Sequence, residues 1–383
     1  MKVLYDCQAF TYQNWGGVSK SFCELLTHRP QDMDYDIAIR ETDNVHLKES
    51  GLVEGIEPVS RTLQSFSKKH HLLGREKIYN LLSRYGLLHT AEKVNMTESV
   101  KKLNMGDFDV FHPTFFDDYF LPYLNGKPFV LTVHDLMPEL FGWWKGDPQI
   151  ANKPRLLKDA AAVIAVSENT KKDLCRMYDV NPDKVHVIYH GFPEKEVSVQ
   201  ERIVAEPYFL YVGRRGGYKN SDQTIRDFGI FHKSHPDVKF VFTGPEFTEE
   251  EKALLKSCGI YDSIIHVFAT DEQLASLYQH AEAFVFPSLY EGFGMPILEA
   301  FSYGCPVMLN DKSCFSEIGG DAAIYFDSTD GKSNLPECME RICNMKPDER
   351  QQLISKGMER LKMFSWEKSA RQLYDVYKEY SGR

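Results

Sequence analysis

The sequence predicts an α/β protein with two domains, each built around a doubly wound parallel sheet. Its 383 residues exceed the ~150 of a typical single domain. Short runs of β-branched and aromatic residues alternate with helical patterns along the whole chain, as in successive βαβ units. The segment 193–207 is polar, bounded by prolines and without a clear period, which is typical of a linker. We therefore expect domains at 1–192 and 208–363, with a C-terminal helix at 364–383 that packs back on the first domain.

The predicted strands are the short β-branched and aromatic runs, six in each domain. Helical patterns begin near Val18 and after Ser167, a residue suited to the N-cap of a helix, and a long helical stretch starts at Pro347. Because helices of ~10–15 residues separate the strands, we expect the sheets to be parallel. The strands are Val3–Tyr5, Asp36–Ile39, Val110–His112, Phe129–Val133, Val163–Val166 and Val185–Tyr189, then Tyr208–Val212, Lys239–Thr243, Ile264–Val267, Ala283–Phe286, Pro306–Leu309 and Ala323–Phe326.

The composition predicts a soluble cytoplasmic protein. The formal net charge of −10 argues against a general nucleic-acid binder. The longest apolar run, Ala160–Val166, is far short of the ~20 residues of a spanning helix. The eight cysteines form no C-x-x-C pair, which favours reduced thiols over a disulfide framework. The acidic residue Asp6 occurs too early in the sequence for a signal peptide.

The segment 61–104 departs from this acidic average. It carries nine Lys/Arg and three acidic residues, a local charge of about +6 against about −16 for the remainder. Ile78, Leu82 and Tyr85 recur within it at helical spacing. Two interpretations follow: a core helix with a solvated basic face, or a peripheral contact with the inner leaflet of a membrane.

Two candidate motifs follow strands of the first domain. Gly16 and Gly17 open a helix, where glycines form a tight turn or let backbone N–H groups approach an anion. The pair lacks the G-x-G-x-x-G spacing of a dinucleotide site. His134-Asp135 ends a strand, and this histidine is either a structural residue or one that faces a ligand.

In the second domain, the glycine-rich loop 213–220 follows the first strand. Arg214 and Lys219 are five residues apart on this loop, so together they can hold a diphosphate. The loop lacks the spacing of a P-loop. The alternative is a pair of ordinary surface cations near a turn.

The most informative motif is Glu291–Glu299, which follows an apolar strand. Pro296 suits the first turn of a helix, so the N–H groups of Phe293, Gly294 and Met295 would point toward an incoming anion. Carboxylates accept hydrogen bonds from hydroxyls, so the two glutamates suit a sugar and a ribose. The alternative is that both acids only stabilise the start of the helix.

These motifs resemble those of retaining GT-B glycosyltransferases of the family 4 type, in which two Rossmann-like domains face each other across a cleft. Glu291 to Glu299 looks like the E-x7-E signature of that family, and the similarity spans nearly the whole chain. The finer detail looks closest to bacterial mannosyltransferases that build polysaccharides. Other segments carry the resemblance in the expected order: Gly16-Gly17, His134-Asp135, Ser167–Thr170, Val187–Gly191, the loop with Arg214, Lys219 and Asn220, Gly319–Ala323, and Phe364–Glu367.

The resemblance implies a role for each matched residue. Arg214 and Lys219 would neutralise the diphosphate of a nucleotide sugar in place of a divalent cation, so no metal or other cofactor is expected. His134 would contact the transferred sugar. The expected binding residues are Glu291 with the amides of Gly292, Phe293 and Gly294 for that sugar, Glu299 for the ribose, Thr270 beside the base, and Gly16 and Gly17 closing the site.

The expected reaction is transfer of a hexose, with retention of configuration, from a nucleotide-diphosphate sugar to a saccharide or lipid-linked acceptor in polysaccharide synthesis. GDP-mannose is the favoured donor, with UDP-sugars and a nucleotide-sugar epimerase as alternatives. A sugar-binding receptor and a metal-dependent D-x-D transferase are weaker rivals. The D-x-D matches are Asp32–Asp34, Asp34–Asp36 and Asp107–Asp109.

Overall fold

The computed structural model describes residues 1–59, 90–143, 146–193, 198, 200–329 and 332–382. These residues form two units. Unit 1 comprises Met1–Val166, Lys171–Ile188 and Trp366–Arg383, and unit 2 comprises Ser167–Thr170 and Tyr189–Ser365. The amphipathic part of the basic segment lies outside the described residues, which include only its helical end.

Unit 1 has two three-stranded parallel sheets, ordered β2-β1-β3 and β4-β5-β6. A parallel bridge between Phe111 and Phe129 links them. The strands are β1 (Lys2–Tyr5), β2 (Asp34–Ile37), β3 (Val110–His112), β4 (Val130–Val133), β5 (Ala162–Ala165) and β6 (Val185–Val187). The helices are α1 (Gln8–Tyr12), α2 (Gly17–Thr27), α3 (Val45–Ser50), α4 (Ala91–Met105), α5 (Met137–Leu140), α6 (Pro148–Asp159) and α7 (Glu168–Tyr178), whose first residues belong to unit 2.

Unit 2 contains one six-stranded parallel sheet, in the order β12-β11-β10-β7-β8-β9, and a two-stranded antiparallel ribbon, β13-β14. The strands are β7 (Tyr208–Tyr211), β8 (Lys239–Thr243), β9 (Ile264–Val267), β10 (Ala283–Phe286), β11 (Val307–Asn310), β12 (Ala323–Phe326), β13 (Ser328–Thr329) and β14 (Lys332–Ser333). The helices are α8 (Ser221–Phe231), α9 (Glu249–Ser257), α10 (Asp271–His280), α11 (Met295–Ser302), α12 (Phe315–Gly319), α13 (Leu335–Cys343) and α14 (Pro347–Leu361).

The sheets are parallel, as the alternating pattern predicts. β7 and β10 are fully buried, as expected of parallel strands that are covered on both faces. The predicted second strand, Asp36–Ile39, begins two residues too late and ends too late. Its pairing with β1 stops at Ile37, although Ala38 and Ile39 are also buried. The apolar run in the sequence therefore continues past the end of the strand, because the two residues that follow the strand are also buried.

The C-terminal segment from Pro347 is helical, as its pattern predicts, and it is divided into two helices, the second of which falls within the C-terminal helix predicted at 364–383. The last helix, α15 (Trp366–Ser381), belongs to unit 1. Its Tyr377 hydroxyl lies 2.7 Å from the Tyr5 hydroxyl and also contacts Nδ1 of His112. Nε2 of His112 lies 2.9 Å from the hydroxyl of Thr132, so a buried polar network joins α15 to three strands.

In the parts of the chain that the structure describes, no helix combines the length and apolar character needed to cross a membrane.

Candidate functional site

The two main motifs of unit 2 lie beside each other at one edge of its sheet. β7 and β10 are neighbours, and the chain order reverses between them. The loop 213–220 follows β7, and the segment 287–294 follows β10. The N–H of Leu289 donates to the carbonyl of Tyr218 at 2.7 Å, which ties these segments together. This carboxyl edge, at the reversal point, is where open α/β sheets bind ligands.

Lys219 and Glu291 form an ion pair here, with 2.6 Å between Nζ and Oε1. Their side chains are only 22% and 13% exposed. Burial acts to lower the pKa of Lys219, but Glu291 and then Tyr218 outweigh it, and the pKa is raised above its ordinary value. The lysine is therefore charged at neutral pH. The pairing also places a cation and a carboxylate within reach of one bound molecule.

The two neighbouring arginines of the glycine-rich loop have different environments. Arg215 is buried: its Nε lies 3.0 Å from Oε1 of Glu251, and its Nη2 donates to the carbonyl of Pro245 at 2.6 Å. Its guanidinium also stacks on Phe247, 4.0 Å from the ring centre. The side chain of Arg214 is exposed. Arg215 thus stabilises the fold through these contacts, whereas Arg214 is accessible to a ligand.

Hydroxyl and thiol groups fix the backbone around Glu291. The Ser313 hydroxyl accepts from the Glu291 N–H at 3.1 Å and donates to the Glu291 carbonyl at 2.7 Å. The Cys314 thiol donates to the carbonyls of Glu291 and Phe293, and the Ser167 hydroxyl donates to that of Gly292. These contacts orient the turn that carries the carboxylate.

Helix α11 begins directly after this turn. Gly294 occupies its N-cap with φ 97° and ψ 49°, a left-handed conformation that side chains disfavour. A Cβ atom at this position would lie 3.0 Å from Cδ1 of Ile297, so space as well as conformation favours glycine. Pro296 lies in the first turn of α11, as predicted. The segment thus presents a helix N-terminus beside Glu291, and such an end favours anions.

Glu299 lies on the same helix. The Tyr278 hydroxyl donates to its Oε2 at 3.3 Å. The rings of Tyr278 and Tyr303 stack with centroids 5.7 Å apart. The pKa of Tyr303 is raised, first by burial and then by the nearby Glu299 carboxylate. These contacts fix the position of Glu299 within α11, whereas Glu291 lies in the turn that precedes this helix.

Thr270 lies after β9, two strands away from β7. It is the N-cap of α10, where its hydroxyl accepts from the N–H of Gln273 at 3.3 Å and donates to Oε2 of Glu272 at 3.0 Å. The side chain of Thr270 therefore caps the N-terminus of α10.

The remaining predicted residues belong to unit 1. Gly16 is the N-cap of α2, and Oε1 of Gln13 accepts from the N–H of Ser19 at 3.2 Å, so this helix end is already partly capped. His134 follows β4 and packs edge-to-face on Phe22, with ring centroids 5.9 Å apart. Gly17 is exposed, and His134 is half-buried.

The five acids of the D-x-D matches have hydrogen-bond or ion-pair partners in unit 1. Asp36 pairs with the Lys102 ammonium at 2.6 Å, and Oδ1 of Asp34 accepts from the Tyr35 N–H at 2.9 Å. Asp107 pairs with the Lys2 ammonium at 2.7 Å, and Asp109 accepts from the Lys2 N–H at 2.7 Å. Asp32 accepts from the Tyr374 hydroxyl at 2.7 Å.

Ser313 is a residue of the site that was not predicted from the sequence. It lies after β11, the neighbour of β10, so the rule that sites form at carboxyl edges could have drawn attention to it. Its φ of 54° is unusual for a residue other than glycine, and the sequence gives no sign of that.

Comparison with known proteins supplies the family. Residues 15–196 match the family described as "Glycosyltransferase Family 4", and residues 194–360 match "Glycosyl transferases group 1". The chain is 37% identical over 236 residues to O-antigen chain mannosyltransferase B of Escherichia coli, covering 58% of this chain and 61% of that protein. It is 28% identical over 240 residues to O-antigen chain mannosyltransferase RfbU of Salmonella typhimurium, covering 58% of this chain and 65% of that protein. The matched regions thus span less than two thirds of these relatives.

Solved structures support the fold. Anabaena HepE, in complex with UDP and glucose, matches with a TM-score of 0.69 at 14% identity, covering 99% of this chain and all of that one. Sucrose-phosphate synthase from Thermosynechococcus elongatus matches with a TM-score of 0.65 at 17% identity, covering 99% and 98%. With both family descriptions matched in order along residues 15–360, the chain belongs to the glycosyltransferases of the family 4 type, which have the GT-B fold.

Proposed function

We propose that the chain is a retaining hexosyltransferase that moves a hexose from a nucleotide-diphosphate sugar to a saccharide or lipid-linked acceptor. The favoured donor is GDP-mannose and the favoured pathway is polysaccharide synthesis, since the E. coli and Salmonella relatives are O-antigen chain mannosyltransferases. The observation that carries the proposal is the pair of Lys219 and Glu291, 2.6 Å apart beside the N-terminus of α11.

Cleavage of the donor leaves a sugar with oxocarbenium character and a diphosphate with increased negative charge. Lys219 and the exposed Arg214 would meet that charge, together with the amides of Gly292–Gly294. Each well-placed donor of this kind lowers a barrier by ~3–4 kcal/mol. Glu291 would bind hydroxyls of the transferred sugar and Glu299 those of the ribose, because carboxylates accept such hydrogen bonds.

In this proposal the leaving phosphate deprotonates the acceptor on the same face of the sugar, which gives retention. Two fixed cations take the place of a metal ion, and no cofactor is needed. His134 contacts the reacting sugar, and Thr270 lies beside the base. The chain acts in the cytoplasm, with a peripheral membrane contact through the basic segment 61–104.

A thermal-shift panel of GDP, UDP and their sugars tests the donor. A nucleotide at 100 times its Kd adds ~2.7 kcal/mol of stability. We expect GDP and GDP-mannose to raise the Tm of the wild-type chain and to have a much smaller effect on Lys219→Ala. A rise with UDP alone would select the UDP-sugar alternative, and no rise with any nucleotide would refute the proposal.

Product analysis separates transfer from epimerisation. A transferase consumes donor mainly when acceptor is present, whereas an epimerase releases nucleotide and altered sugar without one. Addition of EDTA should leave the activity intact. Complete loss of activity that Mg²⁺ or Mn²⁺ restores would refute the metal-independent mechanism.

A further inference from the structure

The start of helix α7 lies against the turn that carries Glu291. Ser167 directly precedes this helix, and its hydroxyl donates to the carbonyl of Gly292 at 2.7 Å. The side-chain amide of Asn169 donates to the Ser313 hydroxyl at 3.4 Å. That hydroxyl also binds the N–H and the carbonyl of Glu291, so its donor and both of its acceptor positions are used. The helix start therefore contacts both the turn and the residue that fixes it.

Glu317, on helix α12, supplies the acceptors for this helix start. One oxygen of its carboxylate accepts from the N–H of Glu168 at 2.5 Å, and the other accepts from the N–H of Asn169 at 3.2 Å. The first N–H groups of a helix have no partner within the helix, and the helix dipole favours a negative charge at this end. A carboxylate from 149 residues further along the chain thus holds the first turn of α7, and all of these residues belong to unit 2.

The position of Glu317 is itself fixed from two sides. Nη2 of Arg360 donates to the Glu317 carbonyl at 2.5 Å, and its Nε donates to the carbonyl of Ile318 at 2.8 Å, which anchors the backbone of α12. The Tyr189 side chain forms a hydrogen bond with the Glu317 carboxylate, and burial followed by this hydrogen bond raises the pKa of Tyr189. The carboxylate thus has three donors around it, which define its orientation.

We infer that Glu317 is a positioning residue for the proposed transfer: through the first turn of α7, it holds the turn 291–294 in the orientation in which Glu291 binds the transferred sugar. The inference rests on the proposed function, which assigns Glu291 to that sugar. Small displacements of a group that binds the reacting molecule are costly to the rate, even when the substituted residue does not contact the substrate. A residue that only stabilised α7 would instead change the stability and leave the kinetic constants of the folded chain unaltered.

Amide hydrogen exchange on the full chain, without donor, tests the contact between this helix start and the turn. Glu317→Ala removes the carboxylate. Glu168→Gln is the matched control, because it removes a negative charge from the same helix start and its side chain is exposed. We expect the peptide 289–296 to exchange about fivefold faster or more in Glu317→Ala and at the wild-type rate in Glu168→Gln. Wild-type exchange of strand β8 in both variants shows that unit 2 is folded.

Initial rates with the labelled donor that the thermal-shift panel selects test the consequence for transfer. We expect Glu317→Ala to lower kcat about tenfold, with a change in donor KM of less than about twofold. Glu317→Gln keeps one acceptor oxygen and should recover part of the loss. Because the inference has Glu317 act through the helix start that includes Ser167, addition of Ser167→Ala to Glu317→Ala should slow transfer by no more than about a further twofold.

Three results would overturn the inference: wild-type exchange of the peptide 289–296 in a folded Glu317→Ala variant, a wild-type kcat in that variant, or additive losses in the double variant. Where Glu317→Ala does not fold, Glu317→Gln replaces it, and wild-type exchange and kcat in that variant would have the same meaning. Absence of transfer by the wild-type chain would count against the proposed function alone, since the exchange measurement needs no donor.

Discussion

Replacement of Lys219 by alanine removes the fixed cation beside Glu291. The wild-type ammonium lies 2.6 Å from the carboxylate, and its raised pKa keeps it charged at neutral pH. Loss of one well-placed charge-stabilising group costs ~3–4 kcal/mol in the transition state. Because the lysine side chain is 22% exposed, we expect the lower end of that range, a fall of about 10²-fold in kcat/KM.

The same change should affect the fold only modestly. Breaking a fully buried ion pair costs ~3–5 kcal/mol, whereas an exposed pair contributes at most ~1 kcal/mol. With side chains 22% and 13% exposed, this pair lies between those limits, and we expect a loss of about 1–2 kcal/mol. Urea unfolding of Lys219→Ala measures it, and retention of a cooperative transition shows that the kinetic loss is local.

Glu291→Gln is the complementary variant. Glutamine keeps an oxygen that can accept from Lys219 but removes the negative charge that would lie near the donor phosphates. We expect transfer to fall by about 10²-fold or more, because the sugar loses its carboxylate partner, while affinity for the nucleoside diphosphate is retained or improved.

Initial rates with labelled donor and calorimetric titration of nucleoside diphosphate measure these two quantities. Lys356→Ala is the control, since its pair with Asp321 lies at the surface with side chains 52% and 76% exposed. Unchanged kcat/KM in a folded Lys219→Ala variant, or in Glu291→Gln, would show that the site is misassigned.

Three further substitutions test the supports of the site and of the fold. Ser313→Ala should lower kcat by about tenfold with a smaller change in donor KM, because the Glu291 backbone loses two hydrogen bonds of ~1 kcal/mol each, and Ser313→Thr should restore part of the loss. Gly294→Ala should destabilise unit 2 by about 1–3 kcal/mol in urea unfolding, because alanine is strained at φ 97°. His112 has a pKa that burial lowers to about 3, against an ordinary 6.5, so below pH 6.5 the unfolded chain binds a proton that the folded chain does not. The free energy of unfolding should therefore fall by about 2 kcal/mol from this group between pH 7 and 5, and His112→Gln should flatten that dependence.

The sequence identified the twelve strands of the parallel sheets but not the antiparallel ribbon of β13 and β14. The signal is clearest for fully buried parallel strands such as β7 and β10, which appear as unbroken β-branched and aromatic runs. The sequence located the carboxyl-edge motifs for the same reason, since each follows such a run. It misplaced the ends of β2, because buried residues beyond Ile37 continue the apolar pattern after pairing with β1 has ended. Burial is visible in a sequence, whereas hydrogen-bond register is not.

Side-chain assignments depended on contacts that local sequence does not encode. Arg214 and Arg215 are chemically identical neighbours, and Arg215 is identified as the buried one by its contacts with Pro245, Phe247 and Glu251, which lie 30 to 36 residues further on. Ser313 likewise contacts Glu291 across 22 residues, through a left-handed turn that no glycine marks. The motif as a group was therefore predictable, but the residues that fix its geometry were not.

The charge balance of the unit 2 site restricts how it could bind a donor. Arg214 and Lys219 supply two positive charges, and Glu291 and Glu299 supply two negative ones, so these side chains alone give no net attraction for a diphosphate. The N-terminus of α11, equivalent to about half a positive charge, would add the necessary bias. Lys219 would then exchange part of its contact with Glu291 for a phosphate oxygen, which frees the carboxylate to accept from a sugar hydroxyl. In the proposed reaction, binding of the diphosphate and recognition of the sugar are thus coupled through one ion pair. This coupling explains why replacement of Lys219 should weaken binding of the nucleotide, whereas replacement of Glu291 should slow transfer and leave nucleotide affinity intact.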